Sequence, residues 1–167
     1  CLKTKMDFTR LSEGMADLVE LVGRLRGPNG CPWDARQTDA SIKIYLLEEA
    51  YEVLEAIEGA SPQEVCQELG DLLFQILFLA HLAEERREFD LIDVVEGIKE
   101  KMILRHPHVF GDTSVHNAEE VTRNWAKIKE AEKKAAKDAS SPLRSIPGSL
   151  PALLRAHRLN ERASRMD

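Results

Sequence analysis

Cysteine is scarce in this sequence. Cys1, Cys31 and Cys66 are odd in number, far apart and without a CxxC spacing, which excludes a disulfide framework and a four-thiolate zinc site. Such sparse use suits a reducing cytoplasm. Long hydrophobic runs are missing as well: none approaches the roughly 18 residues of a membrane span, and no basic segment followed by an apolar one opens the chain as a signal peptide would. A soluble protein with no membrane partner is therefore expected. Basic excess is also lacking. Lys and Arg number 23 against 29 Asp and Glu, a net charge of −6, which leaves no electrostatic footprint for DNA or RNA. No stretch alternates apolar and polar residues for long enough to make a strand, and there is no internal repeat or low-complexity tract. At 167 residues, 43% of them apolar, the chain is large enough for one real core, short for two, and reads as all-α. Its first residue is Cys rather than Met, which suggests a processed or engineered fragment.

What is present is helical periodicity with clear punctuation. Phe8, Leu11, Met15, Leu18, Val19, Val22 and Leu25 recur at helical spacing and predict an amphipathic helix over Asp7 to Arg26. Gly27, Pro28, Gly30 and Pro32 end it in an ordered loop or hinge, GPNGCPWDARQT. A second helix is expected from about Thr38 to Glu58. Ser61, Pro62 and Glu64 start a third with an N-cap hydroxyl, a first-turn proline and a capping-box Glu, and it runs to about Arg86. Asp90 caps a fourth ending near Arg105, and Asn117 with Glu120 caps a fifth to about Ala139. Ser140 to Gly148 reads as a linker before a last amphipathic segment with Leu153, Leu154, Ala156 and Leu159. The expected architecture is a bundle of four to five main helices.

The acids are concentrated between positions 48 and 71. On helix two, Leu46, Leu47, Ala50, Val53, Leu54 and Ile57 share one broad face, and Glu48, Glu49 and Glu52 lie on another, which alone means a wet surface. Helix three differs. Glu68 lies within about 40° of Leu72 and Leu79 on the helical wheel, and Asp71 is followed directly by LLFQILFLA. A helix apolar all round is a buried one, where an unpaired carboxylate costs several kcal/mol. Basic partners, protonation or a bound cation must compensate. Glu49 with Glu52 and Glu68 with Asp71 are i,i+3 pairs, so antiparallel neighbours joined at Gly59 to Pro62 could turn both pairs into one gap. All-oxygen ligation there favours Mg²⁺ or Mn²⁺ over zinc. Gly70 either opens space beside the acids or allows close helix packing. The Glu-x-x-His step of di-iron bundles and the spacing of EF-hands are both absent.

Taken in order, LRGPNGCPWDARQT (25–38), YLLEEAYEVLEAI (45–57), ELGDLLFQILFLA (68–80), RHPHVFGD (105–112) and NWAKIK (124–129) closely resemble MazG-type nucleoside triphosphate pyrophosphohydrolases, from about Leu11 to Met166. The most specific element is EExxE followed by ExxD, matched by Glu48, Glu49, Glu52, Glu68 and Asp71. The resemblance implies a dimeric all-α enzyme that uses Mg²⁺, with Mn²⁺ as a substitute, to split a nucleoside triphosphate into monophosphate and pyrophosphate. It implies Glu49, Glu52, Glu68 and Asp71 as metal ligands, with Glu48 as a further catalytic acid, either general base or outer partner. Lys101 and Arg105 resemble the triphosphate-binding pair, and Trp125 and Lys129 a second pair at the nucleotide. Lys and Arg neutralise phosphate charge and a Trp offers a stacking face, so broad base acceptance is expected.

Each assignment has a plainer counterpart. Lys101 and Arg105 suit a helix C-terminus, Trp125 suits a core, and His106 with His108 suits a turn better than zinc. Trp33, Asp34 and Gln37 in the breaker-rich loop are expected to line the substrate site, with Trp33 as the contact. SLPALLRAHRLNERAS resembles the segment that joins the first domain of two-domain relatives to the second. The expected organisation is thus a catalytic domain over residues 7–139 and a linker with a C-terminal helix over 140–167. Two alternatives stay open: a non-catalytic dimerisation or regulatory half, and a phosphoribosyl-ATP pyrophosphohydrolase.

Overall fold

The long helices begin where the sequence supplies caps. The Asp7 carboxylate accepts from the backbone N–H groups of Thr9 and Arg10, both at 3.1 Å. Thr38 and Ser41 cap each other reciprocally, Asp90 and Asp93 do the same at 3.0 Å, and Asn117 accepts from the Glu120 N–H at 2.9 Å. Ser61 Oγ accepts from the Glu64 N–H at 3.3 Å, with Pro62 in the first turn. Each such cap satisfies backbone donors the helix itself leaves open.

The computed structural model describes residues 6–59, 61–135, 146, 148 and 150–163. Among these there are seven helices and no strand: α1 (Phe8–Arg26), α2 (Asp39–Gly59), α3 (Pro62–Glu85), α4 (Leu91–Arg105), α5 (Pro107–Phe110), α6 (Ala118–Ala135) and α7 (Ala152–Ala163). The all-α expectation holds. The short α5, with Pro107 in its first turn, stands where only a turn was anticipated. The expected end of the fifth helix at Ala139 and most of the linker Ser140 to Gly148 lie outside the described residues. The chain forms two compact units that divide within α4, between Lys99 and Glu100.

In the first unit α2 and α3 pair most extensively, with α1 against α3. The core gathers Val22, Ile42, Leu77, Phe78 and Leu82, flanked by Met15, Leu18, Val19, Tyr45, Leu73, Phe74, Leu79 and Leu91. Two expectations are corrected here. On α2 the buried residues are Ile42, Val53 and Ala56, whereas Leu47, Leu54 and Ile57 are more than half exposed. The helix is rotated from the face its leucines suggest, because apolar residues occupy most of its circumference and α3 covers only one side. The second correction is on α3, which is buried along its carboxyl half only. Leu77, Phe78, Ala80, Leu82 and Ala83 are buried there, while Leu69 and Ile76 are exposed. By length and composition α3 is apolar enough to cross a membrane, a property that counting uninterrupted apolar residues passes over.

One guanidinium fastens the breaker loop to this core. Arg26 donates to Glu85 through Nε at 2.9 Å and Nη2 at 2.8 Å, and through Nη1 to the carbonyls of Asp34 and Gln37 at 2.6 and 3.2 Å. Its charge lies 5.4 Å from the centre of the Phe78 ring. Gly30 makes the tight turn possible, since a Cβ there would collide with the carbonyl oxygens of Arg24 and Leu25. Arg26→Ala is expected to cost about 2–3 kcal/mol, the scale of charge-assisted hydrogen bonds, because the partly exposed Glu85 regains water while the two carbonyls lose their donor. The Arg26 hydrogen bonds hold the Glu85 carboxyl below its ordinary value. A depressed carboxylate stabilises the fold above its unfolded pKa, near 4.3, and that contribution is lost as pH falls through the lower folded value. The stability difference between the two proteins in urea melts should therefore be larger at pH 7 than in acid, where only the carbonyl contacts remain.

Candidate metal centre

Two side-chain stripes meet along the α2/α3 seam. On α2, Ile42, Glu49, Val53 and Ala56 are spaced by seven, four and three residues and so share a face. On α3, Glu68, Asp71, Gln75, Phe78 and Leu82 do the same. Toward Phe78 and Leu82 the seam is core; toward Glu68 it is carboxylate. Gln75 Nε2 donates a long hydrogen bond to Glu49 Oε1 at 3.5 Å, and Glu52 lies close enough to Glu68 to perturb it, so the helices run antiparallel.

Glu49, Glu68 and Asp71 each offer a carboxylate oxygen within 4.8 Å of the others. Glu49 and Glu68 are half-buried, Asp71 is exposed, and Glu52 stands exposed at the edge of the group. Both half-buried carboxyls are pushed above their ordinary value. For Glu49 the causes are desolvation and then repulsion from Glu52, Asp71 and Glu68; for Glu68 they are desolvation and then Glu52 and Asp71. No ion pair among the described residues involves any of these four acids. Of the three ways to compensate them, basic partners are thus not used. An all-oxygen donor set converging on one point fits a hard divalent cation such as Mg²⁺ or Mn²⁺. Glu48 is exposed on α2 and outside the converging group. Gly70, between Glu68 and Asp71, has open space where a Cβ would go, so it serves no close packing among the described residues.

Trp33 is 55% exposed in the loop after α1, and its ring meets Tyr45 of α2 at 5.8 Å between centroids. Tyr45 lies one helical turn before Glu49, so the indole stands on the carboxylate-bearing helix. Asp34 is buried, and Gln37 donates to the Trp33 carbonyl at 3.1 Å, which makes them parts of the loop's own framework.

The second unit holds the basic residues. Arg105 at the end of α4 grips Glu132 of α6 through Nε at 3.2 Å and Nη2 at 2.6 Å. Arg105 and Lys129 both lie over the Trp125 ring, at 5.6 and 5.2 Å from its centre. Lys101, one turn before Arg105, is exposed and helps to hold the Glu132 carboxyl below its ordinary value. The four residues singled out from sequence are therefore one cluster, and Trp125, 38% exposed, serves there as a platform for cations. His106 Nδ1 is 2.6 Å from the Met102 carbonyl, and its ring meets that of His108 at a tilt, 5.6 Å between centroids, an arrangement that belongs to the turn.

Gln75 and Glu132 were missed from sequence. Gln75 lies four residues after Asp71, and Glu132 lies three after Lys129 and seven after Trp125, so shared helical faces could have flagged both.

Residues 37–110, which run from the end of the loop through α5 and include all five acids, match the model of the MazG nucleotide pyrophosphohydrolase domain. Over these residues the chain is similar to a MazG domain. It is 48% identical over 148 residues to the nucleoside triphosphate pyrophosphohydrolase of Escherichia coli strain K12, covering 88% of this chain and 56% of that protein. It is 43% identical over 150 residues to the nucleoside triphosphate pyrophosphohydrolase/pyrophosphatase MazG of Thermotoga maritima, covering 90% of this chain and 56% of the relative. The chain thus spans just over half the length of either relative. Among solved structures, the MazG-related protein of Thermotoga maritima superposes with a TM-score of 0.59 at 28% identity, covering 69% of this chain and 98% of that one.

Proposed function

We propose that this chain is a MazG-type enzyme that hydrolyses nucleoside triphosphates, with broad base acceptance, to the monophosphate and pyrophosphate. The observation that carries this is the convergence of Glu49, Glu68 and Asp71 within 4.8 Å, with no ion pair to any of them among the described residues. In this reading Glu49, Glu52, Glu68 and Asp71 hold Mg²⁺, with Mn²⁺ able to replace it. The bound cation would supply charge neutralisation at the phosphate oxygens as the phosphoanhydride breaks. Gln75 keeps Glu49 turned into the seam by donating to its carboxylate. Glu48 is the remaining acid, free in solvent to serve as a base or an outer partner. Lys101 and Arg105 take phosphate charge, Trp125 and Lys129 meet the nucleotide, and Trp33 lies against it from the α1–α2 loop.

We further take the chain to act as a homodimer. Ile44, Leu47, Tyr51 and Leu54 form an exposed apolar stripe on α2, three or four residues apart, and Leu69 and Ile76 of α3 are exposed as well. Monomeric proteins rarely leave contiguous apolar faces of this kind uncovered, and a second copy would bury them. A cytoplasmic setting fits the substrate class and the free thiols of Cys31 and Cys66.

The test is incubation of the chain with each NTP and dNTP plus Mg²⁺, with chromatographic separation of products. Monophosphate and pyrophosphate from several bases are expected, and no product after EDTA treatment. Release of orthophosphate would exclude this chemistry, while nucleotide binding without turnover would mark the chain as a non-catalytic half.

A further inference from the structure

The carboxylate of Glu132 fills the guanidinium fork of Arg105. Arg105 presents two N–H groups along one edge of its guanidinium, the geometry that takes carboxylate or phosphate in a fork, and Glu132 occupies that edge at 3.2 and 2.6 Å. Both side chains are largely shielded, at 15% and 29% exposure. Arg105 is not alone in acting on this carboxylate. The Arg105 hydrogen bonds, then the charges of Arg105, Lys101 and Lys129, hold the Glu132 carboxyl below its ordinary value. Three cations thus bear on one anion, with Arg105 and Lys129 also resting on Trp125. A brace between α4 and α6 requires one Arg and one Glu. Here Lys101 and Lys129 act on the same carboxylate as well.

We propose that Glu132 is a displaceable internal anion: it occupies the phosphate-binding edge of Arg105 in the free protein, is expelled by an incoming polyphosphate, and returns to help expel the product. This rests on the reading that Arg105 meets phosphate, and it assigns Glu132 the role of setting how tightly that phosphate is held. A polyphosphate carries several negative charges to the carboxylate's one, so it outcompetes Glu132 among three cations. The cost of the exchange is subtracted from its affinity. A site without the internal anion would bind substrate more tightly and release pyrophosphate more slowly, with no gain in the chemical step.

Glu132→Gln keeps the side chain's shape and removes its charge. With Mg²⁺ present, the variant is expected to bind inorganic triphosphate on the order of tenfold more tightly by calorimetry, as loss of one charge-assisted competitor implies. KM for a nucleoside triphosphate and the inhibition constant of pyrophosphate should fall by similar factors, while kcat stays level or drops. Glu132→Ala should shift KM in the same direction, and in an Arg105→Gln background the effect of Glu132→Gln should be much smaller. A folded Glu132→Gln protein, checked by circular dichroism, with unchanged or higher KM would overturn the proposal and leave Glu132 as a brace. If Arg105→Gln alone leaves triphosphate binding at the wild-type level, Arg105 does not meet phosphate, and the underlying reading falls with the proposal.

Discussion

Glu68→Gln and Asp71→Asn, made separately, are each expected to lower kcat/KM for a nucleoside triphosphate by at least about 100-fold, close to 2.7 kcal/mol of transition-state stabilisation. Each substitution removes one of three carboxylates whose oxygens converge within 4.8 Å, and a hard cation held by fewer anionic oxygens is held weakly. Raising Mg²⁺ should restore part of the loss, and a Mg²⁺-induced rise in melting temperature should shrink in both variants. The metal-free proteins should move the other way. Desolvation and mutual repulsion raise the Glu49 and Glu68 carboxyls, so the ionised cluster opposes folding once pH rises through their folded values. Neutralising one member relieves that repulsion, and the metal-free variants should melt no lower than the metal-free wild type at pH 7. Full activity with the substituted cluster would remove the metal centre from the mechanism.

Phe78→Ala is expected to destabilise the protein by about 3–5 kcal/mol, the usual cost of truncating a fully buried aromatic. Phe78 is 1% exposed at the centre of the cluster with Val22, Ile42, Leu77 and Leu82, packs edge-on against Phe74 at 5.9 Å, and carries the Arg26 charge on its ring. The truncation leaves a cavity and also loosens the clamp on the α1–α2 loop, so the melting temperature should fall by about 6–20 °C. Phe78 shares its α3 face with Glu68, Asp71 and Gln75. The same seam that buries the ring fixes the rotation of the helix bearing the acids, so Mg²⁺ affinity should weaken along with stability. Scanning calorimetry with and without Mg²⁺ measures both effects, and a variant that melts like the wild type would show that this core does not hold the seam.

Much of the helical plan was legible because its signals are local. Ser61, Asp90 and Asn117 cap the helices where they were expected to, since capping needs only a side chain two or three residues from the N–H it satisfies. The loop from Gly27 to Gln37 was visible in its prolines and glycines, but the guanidinium that fastens it was not. Arg26 meets Glu85 across 59 residues of sequence, and no spacing rule connects them. The short α5 escaped notice because four residues carry no periodicity.

The acid cluster divides between the two sources of information. Helical spacing alone put Glu49 with Glu52 and Glu68 with Asp71 on shared faces, and the short turn after Gly59 brought the two helices side by side. Which way α2 turns was beyond it. Apolar residues surround much of that helix, so several rotations bury similar area, and the pattern favoured a face on which Leu47, Leu54 and Ile57 point inward. Packing against α3 buries Ile42, Val53 and Ala56 instead, which carries Glu49 into the seam and leaves Glu48 in solvent. Local chemistry set where helices start and which acids travel together. Only tertiary packing decided which acids meet and that Arg105 is held by Glu132, because rotation about a helix axis and pairing between distant helices depend on partners that a single segment does not contain.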